Sequence, residues 1–354
     1  MGGVETFIYN TVMNSDKKKF KYDFLVHGYK ECIYQKEIED FYDGKVSFYF
    51  IPQYKKNPLK CIRALVRFYN KYGNEYDIIH LQTGATSEVF YVYPFVKKTK
   101  AMVIIHSHIG AGNHLFENAI ARLFVNYIVD KRLACSKVAS HWLFGKRNEK
   151  TTKIIMNGID NERFRYSEKA RAKIREKYGI SDDNFVVGHV GRFSFQKNHF
   201  FIIDIFIEIL KVDETAQLIL VGVGENEDRI KNICQERNLL SSIHFVGNQK
   251  NTEDFYSAFD VFLMPSLYEG LPLVGVEAQA SGLPCFFSEN IDLQILISDR
   301  AEMYSLTMKA SEWAERILKV RYVNKDRKLY SDIIHEKGYS IRKTVEELED
   351  IYEV

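Results

Sequence analysis

The chain has 354 residues, 46 % hydrophobic and 27 % charged, with a net charge of +2. These proportions exclude a disordered, collagen-like or small disulfide-stapled chain, and no run reaches the ~18 consecutive apolar residues of a membrane-spanning helix. The small net charge hides an asymmetry: residues 1–160 carry 24 Lys and Arg against 15 Asp and Glu, and residues 161–354 carry 25 against 32, so +9 stands beside −7; this points to two domains with different partners.

In chain order, short apolar runs alternate with amphipathic stretches. The first half reads as strands at Tyr22–His27, Val46–Ile51, Tyr76–Gln82, Met102–Ser107, Lys131–Cys135 and Lys153–Met156, with helices such as Glu5–Asn14 and Pro58–Tyr72 between them. A turn at Asn157-Gly158-Ile159-Asp160 marks the domain boundary, and residues 161–183 read as a polar helical connector. The second half repeats the alternation. Strands fit Phe185–Val190, Gln217–Val221, Ile243–Val246, Val261–Met264 and Cys285–Phe287; helices fit Phe200–Lys211, Asp228–Arg237, Thr252–Phe259, Leu273–Ser281, Ser311–Lys319 and Ser340–Tyr352. Such alternation predicts two α/β domains, each a doubly wound parallel sheet, with a ligand cleft between them at the carboxyl ends of the strands. The opening is unusual. Gly2-Gly3 and a helix follow Met1 directly, so the central first strand of the N-terminal sheet is expected to be missing, either because this start lies some ten residues late or because the domain is built abnormally.

Met1–Asn10 lacks the layout of a secretory signal. Cys32, Cys61, Cys135, Cys234 and Cys285 are scattered and suggest neither zinc ligands nor a disulfide framework, so a reducing cytoplasm is the expected home. Basic runs at Lys17–Lys21, Lys55-Lys56, Lys97–Lys100 and Lys146-Arg147 are interleaved with aromatics. They read as solvated loops or as contacts with an anionic membrane. No nucleic-acid motif accompanies them.

Four segments carry chemistry. After the strand Val261–Met264 comes PSLYEGLPLVGVEAQASGLP, in which Glu269 occupies a turn and Gly270, Leu271, Pro272 and Leu273 begin a helix. The free N–H groups of a helix start suit a phosphate, and Glu277, eight residues beyond Glu269, suits hydroxyls at the far end of the same ligand. After Phe185–Val190 comes Gly191-Arg192, then Lys197-Asn198; a planar fork and a point charge together suit a diphosphate. Gly222 and Gly224 follow the strand Gln217–Val221 and permit close approach of a base or ribose, or simply a tight turn. In the first half, His106 and His108 end the strand Met102–Ser107 on one face, and a sugar or charge-stabilising contact fits them better than a metal, for which no third ligand has convincing spacing. Ser136 ends another strand at the same mouth.

Together these residues resemble the retaining nucleotide-sugar glycosyltransferases of family 4, with the two-domain GT-B fold. The resemblance covers essentially the whole chain, from Gly2-Gly3-Val4-Glu5-Thr6 to the last helix. The Glu269 to Glu277 motif is its most specific part, and its wording looks like that of bacterial capsule and exopolysaccharide enzymes. The resemblance implies an acceptor-side Rossmann-like domain at 1–160, a nucleotide-sugar donor domain at 161–335, and a helix in 336–354 packing back on the first domain. It implies Arg192 and Lys197 on the donor diphosphate, Glu277 on the ribose and Glu269 on the donor sugar, with the backbone of Gly270–Leu273 nearby. It also implies His106 on the transferring sugar, and Gly2 and Gly3 admitting the donor phosphates and acceptor. The acceptor would be a lipid-linked or soluble glycan contacted by loops 28–44, 52–58 and 109–118. No Asp-x-Asp triplet is present, so no metal or other cofactor is expected. Two further readings share the fold: a nucleotide-sugar epimerase, and a non-catalytic partner subunit.

Overall fold

A computed structural model describes residues 3–28, 32–54, 56–83, 88–89, 99–108, 115–321 and 326–353, with backbone alone at 115–121. The chain divides into two compact units, residues 1–158 with 341–354, and residues 159–340.

The first unit opens with α1 (Gly3–Asn14), followed by β1 (Phe24–His27), α2 (Gln35–Phe41), β2 (Phe48–Ile51), α3 (Pro58–Tyr72), β3 (Ile78–Thr83), β4 (Met102–Ser107), α4 (Leu115–Ile128), β5 (Lys131–Ala134), α5 (Lys137–Phe144) and β6 (Thr152–Ile154). The strands pair in parallel but fall into two pieces, β1-β2 and β3-β4-β5-β6. A doubly wound sheet runs 3-2-1-4-5-6. Removing its first strand leaves just these two pieces, with the gap between β1 and β3, as the sequence predicts. Helix α3 bridges them. Asn57 caps it by accepting from the Lys60 amide at 3.1 Å, and Pro58 takes the first turn, where an N–H is not needed. Its buried face, Cys61, Leu65 and Tyr69, packs on Leu25 of β1, Ile51 of β2 and Ile79 of β3. Tyr76 donates to Asp23 at 2.9 Å across the same divide.

The second unit contains α6 (Glu168–Lys177), β7 (Val186–Val190), α7 (His199–Leu210), β8 (Gln217–Val221), α8 (Glu227–Glu236), β9 (Ile243–Phe245), α9 (Thr252–Ala258), β10 (Val261–Met264), α10 (Leu273–Ala280), β11 (Cys285–Ser288), β12 (Ala301–Tyr304), α11 (Ala310–Lys319) and α12 (Leu329–Glu336). All pairings in its sheet, β12-β11-β10-β7-β8-β9, are parallel. Strands β7 and β10 are buried throughout; this explains the unbroken apolar run of β10, while β7 carries one polar side chain, His189. The expected connector is more than a linker. Its helix α6 sends the buried Arg175 guanidinium to Asp260 at 2.7 Å and to the carbonyls of Ala258, Ser181 and Asn184. The sequence pattern names neither β12, α2, α4, α5 nor α12. Of these β12 is only four residues long, and α2 buries only Ile38.

The last helix, α13 (Ile341–Tyr352), belongs to the first unit. It buries Ile341, Val345 and Leu348, and Glu349 accepts from the Ser15 hydroxyl at 2.6 Å and the Asp16 amide at 2.8 Å at the end of α1.

Candidate functional site

The chain leaves central β7 towards β8 and returns on the other side of β7 as β10. Between β7 and β10 the order reverses, and the crevice at the carboxyl ends there is where open α/β sheets bind ligands. The loop after β7 carries Arg192 and Lys197; the loop after β10 carries Glu269 and leads into α10. Backbone and side-chain bonds tie the two loops. The Leu267 amide donates to Gln196 O at 2.8 Å, the Gln196 amide group to Tyr268 O at 2.9 Å, and that of Asn198 to Pro265 O at 3.1 Å.

Lys197 Nζ lies 2.7 Å from Glu269 Oε1, both side chains being largely buried. Arg192 pairs with Glu225 at 3.2 Å, but both are exposed, and such a pair contributes little restraint. Pro272 precedes α10 and no side chain caps the helix start, so the N–H groups of its first turn carry a partial positive charge with no side-chain acceptor. The glycines after β8 have a steric purpose. Gly222 has φ +137°, and a Cβ there would lie 2.1 Å from Gly191 O. A Cβ on Gly224 would lie 2.6 Å from Phe193 N and O. The bare backbones let the two loops touch, through Gly191 N donating to Val221 O and Phe193 N to Val223 O.

Glu277 is buried on α10, where the Tyr256 hydroxyl of α9 donates to it at 2.8 Å. Burial pushes its carboxyl up to about 7, against the lowering effects of the Tyr256 bond and the Arg163 charge. Behind Lys197 lie two buried imidazoles, His189 and His199, with ring centroids 4.8 Å apart. Burial holds His189 down at about 3 and His199 at about 2, each further lowered by the Lys197 charge. His189 donates from Nδ1 to Leu263 O at 2.8 Å, and His199 stacks on Phe193 at 4.1 Å. Sequence reasoning missed Tyr256, His189 and His199. Tyr256 stands 21 residues from its partner and has no motif around it.

Of the expected site residues, the structure brings Arg192, Lys197, Gly222, Gly224, Glu269, Gly270, Leu271, Pro272, Leu273 and Glu277 to one edge of one sheet. Gly2 lies outside the described residues, as do 29–31, 55 and 109–114 of the expected acceptor loops and Lys97-Lys98. Gly3 is the first residue of α1, and a Cβ there would meet nothing within 4 Å. Ser136 is the N-cap of α5, accepting from the Ala139 amide at 3.1 Å.

His106 is fully buried beneath Phe7 of α1, ring centroids 5.2 Å apart, and neither ring nitrogen has a hydrogen-bond partner among the described residues. Its neighbours are satisfied. His108 Nε2 donates to Gln82 Oε1 at 2.7 Å, Gln82 Nε2 donates to His80 Nε2 at 3.1 Å, and His80 Nδ1 donates to Tyr352 Oη of α13 at 2.7 Å. Because His80 accepts at Nε2 it must be neutral, and burial pushes both His80 and His108 down to about 3. Among the described residues no cluster of three or more His, Cys, Asp or Glu forms a metal-ligand set.

Comparison with known proteins decides the family. Residues 1–163 match Glycosyltransferase Family 4 and residues 170–336 match Glycosyl transferases group 1. EpsF of Bacillus subtilis (strain 168) is 31 % identical over 366 residues, spanning 100 % of this chain and 94 % of that protein. The chain belongs to the family 4 glycosyltransferases. An Escherichia coli relative, UDP-Gal:alpha-D-GlcNAc-diphosphoundecaprenol alpha-1,3-galactosyltransferase, is 23 % identical over 340 residues, covering 89 % of this chain and 86 % of the relative. The crystal structure of Anabaena Alr3699/HepE in complex with UDP-glucose superposes with a TM-score of 0.81 at 18 % identity, covering 100 % of this chain and 96 % of that one. The fold of this glycosyltransferase is therefore GT-B.

Proposed function

We propose that this glycosyltransferase moves a sugar from a UDP-sugar to an acceptor hydroxyl with retention at the anomeric carbon, in the synthesis of a cell-surface polysaccharide at the cytoplasmic face of the membrane. The observation that carries the reading is the largely buried Lys197–Glu269 pair at the switch point, four residues ahead of the uncapped start of α10. Breaking the donor's glycosidic bond leaves negative charge on the diphosphate. Lys197 and the N–H groups of α10 are held positive groups that meet that charge without reorganising, and the exposed Arg192 swings in to join them. Glu269 then holds the donor sugar hydroxyls, and Glu277, oriented by Tyr256, accepts from the ribose hydroxyls. The protein's own cations do the work of a divalent ion, so turnover is independent of one. The departing phosphate oxygen takes the acceptor's proton on the face it leaves, and no side chain is assigned as general base. Contact of His106 with the sugar belongs to the same proposal. Its two orphaned nitrogens support it, because a buried polar group without a partner is costly, and the contact requires Phe7 to move off the imidazole.

The donor and lipid-diphosphate acceptor in the name of the E. coli relative support UDP and a lipid-linked glycan. The test is nucleotide release across UDP-, GDP- and ADP-sugars, with and without EDTA and with a lipid-diphosphate sugar acceptor, the product anomer being read by NMR. Release from a UDP-sugar that survives EDTA, with retained configuration, is expected. Activity abolished by EDTA overturns metal independence, an inverted product overturns retention, and an epimerised donor without nucleotide release overturns transfer.

A further inference from the structure

The segment between β11 and β12 passes beside the Glu269 turn. Glu269 and Ile291 form a parallel bridge, the Glu269 amide donates to Asn290 O at 3.3 Å, and the Asp292 amide donates to Gly270 O at 3.4 Å. The turn that carries Glu269 therefore has two supports. The loop after β7 holds it on one side through Gln196 and Asn198, and the segment after β11 holds it on the other.

One side chain fixes the second support. Gln279 is fully buried on α10, two residues beyond Glu277. Its Nε2 donates to Ile295 O at 2.7 Å and to Gly275 O at 3.1 Å. Its Oε1 accepts from the Ile297 amide at 3.2 Å, the Ser298 amide at 2.9 Å and the Ser298 hydroxyl at 3.1 Å. Helix and segment also touch closely: a Cβ on Gly275 would lie 2.9 Å from Ile295 Cδ1. Around Gln279 the helix is apolar and buried at Val276, Ala278 and Ala280, where an amide is costly unless it is bonded. Fully bonded, it specifies which residues of the segment meet the helix, since donors and acceptors must match one to one. An apolar side chain would pack there without setting that register.

We propose that Gln279 is a positioning residue for donor-sugar recognition. It staples residues 295–298 to α10 and so sets, through Ile291 and Asp292, where Glu269 and Gly270 stand. The inference rests on the reading of Glu269 as the carboxylate that holds the donor sugar. Glu277 is oriented separately, by Tyr256. Loosening the staple therefore acts on the sugar end of the donor and spares the nucleotide end.

The experiment compares the full chain with Gln279→Glu and Ser298→Ala. An ionised Glu keeps the acceptor oxygens and loses both donated bonds, whereas a protonated Glu donates again. Ser298→Ala removes one bond of the five and serves if the first variant does not fold. Turnover and affinity are measured with UDP-glucose, UDP-galactose, UDP-N-acetylglucosamine and UDP alone; thermal unfolding and hydrogen exchange are measured on the unliganded protein. In alkaline buffer Gln279→Glu should lower turnover of the UDP-sugar on the order of 100-fold, the scale of a ~1 Å misplacement, at parental UDP affinity. Lowering the pH should restore it relative to the parent. Amide exchange at residues 269–273 should rise while β7 and β8 stay as in the parent, and Ser298→Ala should show the same pattern more weakly. Parental exchange and turnover in both variants overturn the proposal. So does a loss of UDP and UDP-sugar affinity in step with thermal stability, which is the mark of a purely structural role. Glu269→Gln separates the two readings. If it leaves UDP-sugar affinity untouched while exchange at 269–273 still follows Gln279, the role of Glu269 falls and the staple stands. If it abolishes sugar binding while both staple variants behave as the parent, the staple alone falls.

Discussion

Replacing Glu277 with Gln should stabilise the free protein, and by more as pH rises. Burial lifts this carboxyl from its ordinary 4.5 to about 7. A folded pKa above the unfolded one means that protonation favours the folded state. The contribution is fully present below the unfolded value and is lost as pH rises through about 7. At about 1.4 kcal/mol per pKa unit, ionised Glu277 destabilises the fold by about 3 kcal/mol near pH 8.5 and by about 1 kcal/mol near pH 5.5. Gln keeps an oxygen to accept from Tyr256, so the substitution leaves that hydroxyl partnered. The stability gained by the variant in urea unfolding should therefore grow by about 2 kcal/mol between those two pH values. Calorimetric titration with UDP should show the opposite effect, weaker binding by the variant, because a carboxylate that accepts from two ribose hydroxyls is replaced by a neutral amide. A stability difference that stays flat with pH would refute the buried-charge argument; parental UDP affinity would refute the ribose assignment.

Lys197→Met should lower kcat/KM by about 2–4 kcal/mol of transition-state stabilisation, the scale for one preorganised donor, and full activity would remove Lys197 from the diphosphate. Gly224→Ala forces a Cβ to 2.6 Å from the Phe193 backbone; unfolding should show a loss of about 1–3 kcal/mol, and an unchanged melting temperature would mean the two loops separate freely. Ser136→Ala should cost about 1 kcal/mol as a lost N-cap while leaving kcat/KM intact, so a selective fall in turnover would restore Ser136 to the site. Hydrogen exchange should be faster at the unpaired edges of β1 and β3 than in β4 and β7, which are paired on both sides; uniform protection would show that something covers the gap.

The donor-side site was legible because its chemistry is local in sequence. Glu269, the start of α10 and Glu277 fall within nine residues, and both cations lie in the one loop that follows buried β7. Strand ends and helix starts are read from apolar runs, Gly and Pro, so the carboxyl edge of the sheet could be placed without coordinates. The alternation of apolar runs likewise located the strands of the N-terminal unit, where among the described residues β1-β2 stands apart from β3-β4-β5-β6.

Contacts made between elements were not legible. Tyr256, Arg175 with Asp260, and the Gln82–His80–Tyr352 relay act across separations that no periodicity encodes. His106 shows the consequence. In the sequence it and His108 are a pair on one strand face, equally suited to a ligand. In the fold they part: His108 is satisfied through Gln82, while His106 lies under Phe7 with both nitrogens bare. A buried imidazole left unsatisfied beside a satisfied one is a cost the core could have avoided with an apolar side chain. That asymmetry, and not the His-x-His spacing, is the argument for looking to His106 when a sugar is bound.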